Sequence, residues 1–155
     1  MNGTSAWRAA LAAGLAAVVL AGCGSGDTEQ KNAYVDEVNQ AQQRFADTFE
    51  QLSGKITSTS TPSEDRKTLK GFQTAIDETA GELEAVTPPD AVEKLHAELI
   101  DEMRSYGDAI GTFREAVGGE LDEVTRAQAT LATKTSRTSS EINRTIDQIN
   151  QTLRE

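Results

Sequence analysis

Apolar residues in this chain recur at steps of three and four along four separate stretches, the spacing that lines up one face of an α-helix. In the first, Val38, Ala41, Phe45, Phe49, Leu52 and Ile56 share a stripe, which predicts a helix over about 28–56. Asp27 and Gln30 have capping-box spacing at its start, and Thr57-Ser58-Thr59-Ser60-Thr61 breaks the pattern as a loop. The second stripe, Leu69, Phe72, Ile76, Ala80, Leu83 and Val86, predicts a helix from Pro62. Thr61 is placed to cap it, Pro62 suits the first helical position, and Glu64 stands where a capping box wants an acid. Gly71 and Gly81 each weaken this helix by about 1 kcal/mol relative to Ala and suggest close approach by a neighbour.

Thr87-Pro88-Pro89-Asp90 stops the second helix, with Thr87 as a cap for the third. Val92, Leu95, Leu99, Met103, Tyr106, Ile110, Phe113 and Val117 then run unbroken until Gly118-Gly119. The fourth stretch, about 121–153, carries Leu121, Val124, Leu131, Ile142, Ile146, Ile149 and Leu153. Polar Gln128, Thr135 and Thr138 occupy expected core positions in its middle, and the Ser/Thr-rich run from Thr133 to Ser140 predicts a site of bending or breakage. Short connections favour antiparallel neighbours. The expected fold is all-α, an antiparallel up-down four-helix bundle with long coiled-coil-like helices. The alternative is a long three-helix arrangement with a loosely attached first helix.

Composition narrows the picture. The net charge is −10, and the only charged side chain before Cys23 is Arg8, so the remainder is one unit more acidic. Such a domain is repelled by nucleic acid and by anionic lipid or wall polymer. Leu, Ile, Val and Phe make up 25 of the 133 residues from Cys23 on, a thin core for that charge. A domain of this kind gains from a partner.

Residues 1–22 have the parts of an export signal: Arg8 with the initiator amine, an uncharged run from Ala9 to Leu20, then small Ala21 and Gly22. The run is too short to span a bilayer, which takes about 20 apolar residues. Leu20-Ala21-Gly22-Cys23 resembles the lipobox of bacterial lipoproteins, and Cys23 is the only cysteine. The resemblance implies cleavage before Cys23, a diacylglycerol on its sulfur and, in many species, acylation of the new amine. It divides the chain into a signal peptide (1–22), a lipid-anchored tether (23–27) and a helical domain (28–155), held on the extracytoplasmic face of a cell membrane. An ordinary secretory signal is the alternative. The Ala, Thr, Asp and Glu usage also resembles small helical lipoproteins of high-GC Gram-positive bacteria, a likeness that speaks to address rather than role.

A lone cysteine excludes an internal disulfide, a thiolate cluster and a redox pair. His96, the only histidine, forms Glu-x-x-His with Glu93, but a di-iron bundle needs two such motifs. What remains is at most a single-metal site with an acid from another helix, against an exposed surface histidine. No serine sits in a nucleophile elbow, and no phosphate loop or calcium loop is present. The expectation is therefore no enzyme, no metal and no cofactor. Folding back about Gly118-Gly119 brings Thr135 and Thr138 near Leu99–Met103 with Tyr106 one turn away. Tyr106, Thr135 and Thr138 are thus candidate ligand-binding residues, with Phe72 or Phe45 as walls. Two functions follow: an interaction module that docks an envelope protein, or a small-ligand carrier using that polar zone.

Overall fold

A computed structural model describes residues 27–57 and 59–155 of the chain. The leader, the lipobox, Cys23 and the side-chain cap expected at Asp27 lie outside the described residues. Four helices account for nearly all the rest: α1 (Asp27–Ser53), α2 (Pro62–Ala85), α3 (Glu93–Ala116) and α4 (Leu121–Arg154), with a 3-10 turn at Asp90–Val92 before α3. The fold is an all-α bundle in which α1 packs on α2, α2 on α3 and α3 on α4. No described helix is long and apolar enough to cross a membrane.

Local chemistry sets the helix ends. Thr61 accepts a hydrogen bond from the Glu64 backbone N–H (3.3 Å) while the Glu64 carboxylate accepts from the Thr61 backbone N–H (2.8 Å), closing the expected box with Pro62 just inside. The Thr61 backbone N–H and then the Thr61 hydroxyl, both donating to the carboxylate, hold the Glu64 carboxyl below its usual pKa. Thr87 does not cap the third helix. Pro89 precedes the 3-10 turn without a side-chain cap, because the proline pair holds the chain extended until Asp90. Gly118 adopts φ 84° and the Gly119 N–H bonds the Ala116 carbonyl at 3.0 Å, reversing the chain between α3 and α4.

The core divides into two clusters along the bundle. The first gathers Tyr34, Val35, Val38 and Ala41 of α1, Ala80 and Leu83 of α2, Leu99 and Ile100 of α3, and Ile146, Ile149 and Leu153 of α4. It lies at the end holding the start of α1, and it ties α1 into the bundle rather than leaving it loose. The second, at the other end, gathers Leu69, Phe72, Ile76, Tyr106, Ile110 and Leu131, with Phe45, Phe49, Leu52 and Phe113 partly buried against it. Met103 packs against both. Rings meet across α1 and α2, Phe49 against Phe72 at 5.0 Å with their planes tilted by 53°.

Glycines bring α2 close to its neighbours. A Cβ on Gly71 would sit 3.1 Å from Leu52, and one on Gly111 would sit 2.9 Å from the Gln73 side chain, so both mark close approach. Gly81 has nothing within 4 Å and no packing reason to be glycine.

Three expectations about α1 and α4 are corrected. Helix α1 ends at Ser53, and Ile56 is 42% exposed beyond it. Leu121 (78% exposed) and Gln128 are not core residues, because α4 buries nothing fully before Leu131. And α4 does not break in its Ser/Thr-rich middle. Thr130, Thr133 and Ser140 turn their hydroxyls back onto the carbonyls four residues earlier, so these side chains follow the helix instead of competing with it.

Candidate functional site

Cys23, the expected lipid-attachment residue, lies outside the described residues. The other three candidates lie on α3 and α4. Tyr106 is buried in the second cluster beside Phe72, with Phe45 packed against the same cluster. Thr138 is buried on the inner stripe of α4. Thr135 is half-buried, and its hydroxyl oxygen is enclosed without a hydrogen-bond partner. It lies near the Tyr106 phenol but outside hydrogen-bonding geometry. Burial raises the phenol's pKa, and the nearby Thr135 hydroxyl opposes that rise. The register differs from expectation: Thr135 meets Tyr106 itself, and Glu102 meets Thr145 at 3.1 Å. The helix pair is offset by about one turn from a symmetric fold-back about Gly118-Gly119.

Two further polar sites went unread in the sequence. His96, expected at the surface, is 5% exposed. Its Nδ1 accepts from the Tyr34 hydroxyl (3.2 Å) and its Nε2 donates to the Leu83 carbonyl (2.9 Å), an assignment that makes the ring neutral. Tyr34 is 2% exposed and its phenol is pushed up to about 12 by burial, which also holds the His96 imidazole below its usual pKa against the opposing Leu83 bond. With both ring nitrogens engaged and Glu93 on the surface, the single-metal reading of Glu93 and His96 is corrected: the pair does not converge. Among the described residues no three His, Cys, Asp or Glu side chains are grouped to hold a metal. The second site is Glu102, whose Oε1 accepts from Thr145 while Oε2 is enclosed and unpartnered. Burial raises its pKa, the Thr145 bond opposes this, and Glu141 adds to the rise.

A half-open groove of about 620 Å³ lies between the end of α1 and the start of α2, lined by Leu52, Lys55, Lys67 and Thr68 among others. Neither Tyr106 nor Thr135 lines it, and its one carboxylate, Glu64, is committed to the capping box. Among the described residues no set of side chains there converges on a reacting atom.

The least completed part of the molecule is the side between α1 and α4. The α2-facing flank of α1 is marked by the Arg44–Glu82 ion pair (3.0 Å), and the α3-facing flank of α4 by Thr145 and Glu141 near Glu102. On the opposite flanks the two helices share only the first cluster. Toward the other end Phe45, Phe49 and Leu52 stay partly uncovered and α4 is largely exposed up to Leu131. Both open flanks lack charge: Gln42, Ala46, Phe49 and Ser53 on α1, and Leu121, Thr125, Gln128, Ala132 and Ser136 on α4. In a chain where 26% of residues are charged, that face is set apart.

No protein-family model, curated protein or solved structure matches this chain.

Proposed function

We propose that this chain is a lipid-anchored lipoprotein of the extracytoplasmic membrane face, and that its acidic helical bundle serves as a non-catalytic interaction module in the cell envelope. Leu20-Ala21-Gly22-Cys23 and the absence of any other cysteine support the anchor. Asp27 opens α1 four residues after Cys23, a reach of about 14 Å at full extension. The first cluster then lies beside the membrane, and the Gly118-Gly119 turn stands about 40 Å away along α1.

The observation that carries the interaction reading is the open α1–α4 side, where Phe45 and Phe49 remain partly exposed between uncharged flanks. A helix laid along it would complete the second cluster. The test places a photo-crosslinking amino acid at Ala46 or, as a control one residue on, at Asp47. Irradiation of intact cells should give a discrete polypeptide adduct from position 46 alone, lost when Ala132→Glu places a charge on the facing flank. Equal labelling at both positions, or none at either, would overturn the reading. A small-ligand carrier is the second reading, favoured by the partnerless Thr135 hydroxyl beside Tyr106.

A further inference from the structure

On one side of α4, exposed Leu121, Thr125, Gln128, Ala132 and Ser136 and half-buried Asn143 follow one another at steps of three, four and seven, the spacing of a helix-pairing seam. They lie on the flank turned away from Glu102 and α3, and Leu121 is 78% exposed at its outer end. None of them carries a charge, although the helix around them holds Asp122, Glu123, Arg126, Lys134 and Arg137. The inner stripe of the same helix already packs on α3, so this is a second seam beside the first.

We infer that this flank pairs with the same flank of a second copy of the chain, the two α4 helices lying parallel and in register on the membrane. The inference rests on the lipid-anchor reading. Two bundles anchored at the same end to one membrane stand the same way up, so the two-fold axis relating them runs along the membrane normal. In a parallel two-fold pair each residue on the axis faces its own copy. A charged residue there would face a like charge, so an in-register self-pairing face must be uncharged. A different partner imposes no such condition, since its charges can complement. This flank meets the condition in a molecule of net charge −10, whose other surfaces repel a second copy. Gln128 and Asn143 would each meet themselves as amide pairs, the kind of polar contact that fixes register in parallel coiled coils.

The size of the face explains why the membrane matters. Residues 121–143 span about 35 Å, and a strip about 10 Å wide buries about 700 Å² over both copies. That is below the roughly 1,200 Å² of stable complexes. The pair is therefore weak in dilute solution and forms where tethering raises the effective concentration.

Cysteine crosslinking in native membranes tests this directly. Cys23 is the chain's only cysteine, and its sulfur is taken by the lipid in the anchor reading, so an introduced cysteine is the only free thiol. Ala132→Cys and Gln128→Cys lie on the flank, and Thr133→Cys lies about 100° around the helix from Ala132. All three sites are exposed, so the fold tolerates the changes. Mild oxidation should give a disulfide-linked species of twice the chain mass, several-fold more from positions 128 and 132 than from 133. Dilution into excess detergent micelles should abolish it. Equal yields at all three positions, or no dimer at 128 and 132, would overturn the inference. If Ala132→Cys instead links to a different polypeptide, the second-copy inference fails while the interaction reading stands.

Discussion

Replacing Tyr34 by Phe removes one oxygen from the first cluster, and the consequence follows from what that oxygen does. It donates to His96 Nδ1, a nitrogen enclosed with its ring at 5% exposure. Tyr34→Phe leaves that acceptor buried without a partner, a loss of about 1–3 kcal/mol. For a domain of this length that is roughly 4–10 °C in Tm. His96→Leu strands the Tyr34 hydroxyl at similar cost but does not strand the Leu83 carbonyl, which keeps its bond from the Val86 N–H at 3.0 Å. The double variant has neither orphan, so it should be more stable than the two single losses add up to, by about 1–2 kcal/mol. Thermal and urea unfolding followed by circular dichroism measure all four corners of the cycle. Additivity within about 0.5 kcal/mol would refute the reasoning.

The same network has a pH signature. Burial holds the His96 pKa in the fold below its unfolded value of about 6.5, so folding favours the neutral ring. This contribution is fully present above about pH 6.5 and is lost as pH falls through the lower folded pKa. His96→Leu should therefore flatten the stability profile on the acid side of neutrality. An unchanged profile would contradict the burial of a neutral histidine.

Glu102→Gln should stabilise the protein at neutral pH, because burial disfavours the charged form of the wild-type carboxylate and one of its oxygens is enclosed and unpartnered. Its folded pKa is raised, so wild-type stability recovers as pH falls toward the unfolded value, and urea midpoints at pH 7 and pH 4 should converge for the two proteins. Gly81→Ala should raise stability by about 1 kcal/mol, since the new methyl meets nothing, whereas Gly71→Ala should gain less because its methyl meets Leu52 at 3.1 Å. Thr135→Val removes an enclosed hydroxyl that has no partner and should raise the melting temperature. If it does so and a small-molecule thermal-shift panel leaves the wild type unmoved, the carrier reading fails.

The helices were legible because the signals that set them are local. Thr61, Pro62 and Glu64 end up where their spacing put them, and the stripe from Val92 to Val117 became one face of α3 after a short 3-10 turn. Where the sequence misled, long-range packing decided. Leu121 and Gln128 have core spacing, but at that end α4 has no neighbour beyond α3 to cover them. His96 sits among charged residues in the chain and reads as a surface histidine. Burying it required Tyr34, 62 residues away, and the carbonyl that α2 leaves at Leu83. The run Thr133 to Ser140 looked fragile by propensity, but α3 packing and back-bonded hydroxyls keep it helical. The nearness of Tyr106 to Thr135 followed from inward polarity and a fold-back at Gly118-Gly119, with the register shifted by about one turn.

The proposed role depends on Cys23, whose state is read by native mass spectrometry of the protein extracted from its own membranes in mild detergent. The expected mass is that of a chain that begins at Cys23 and carries a diacylglycerol. A mature chain with no lipid would contradict the anchor and the role built on it.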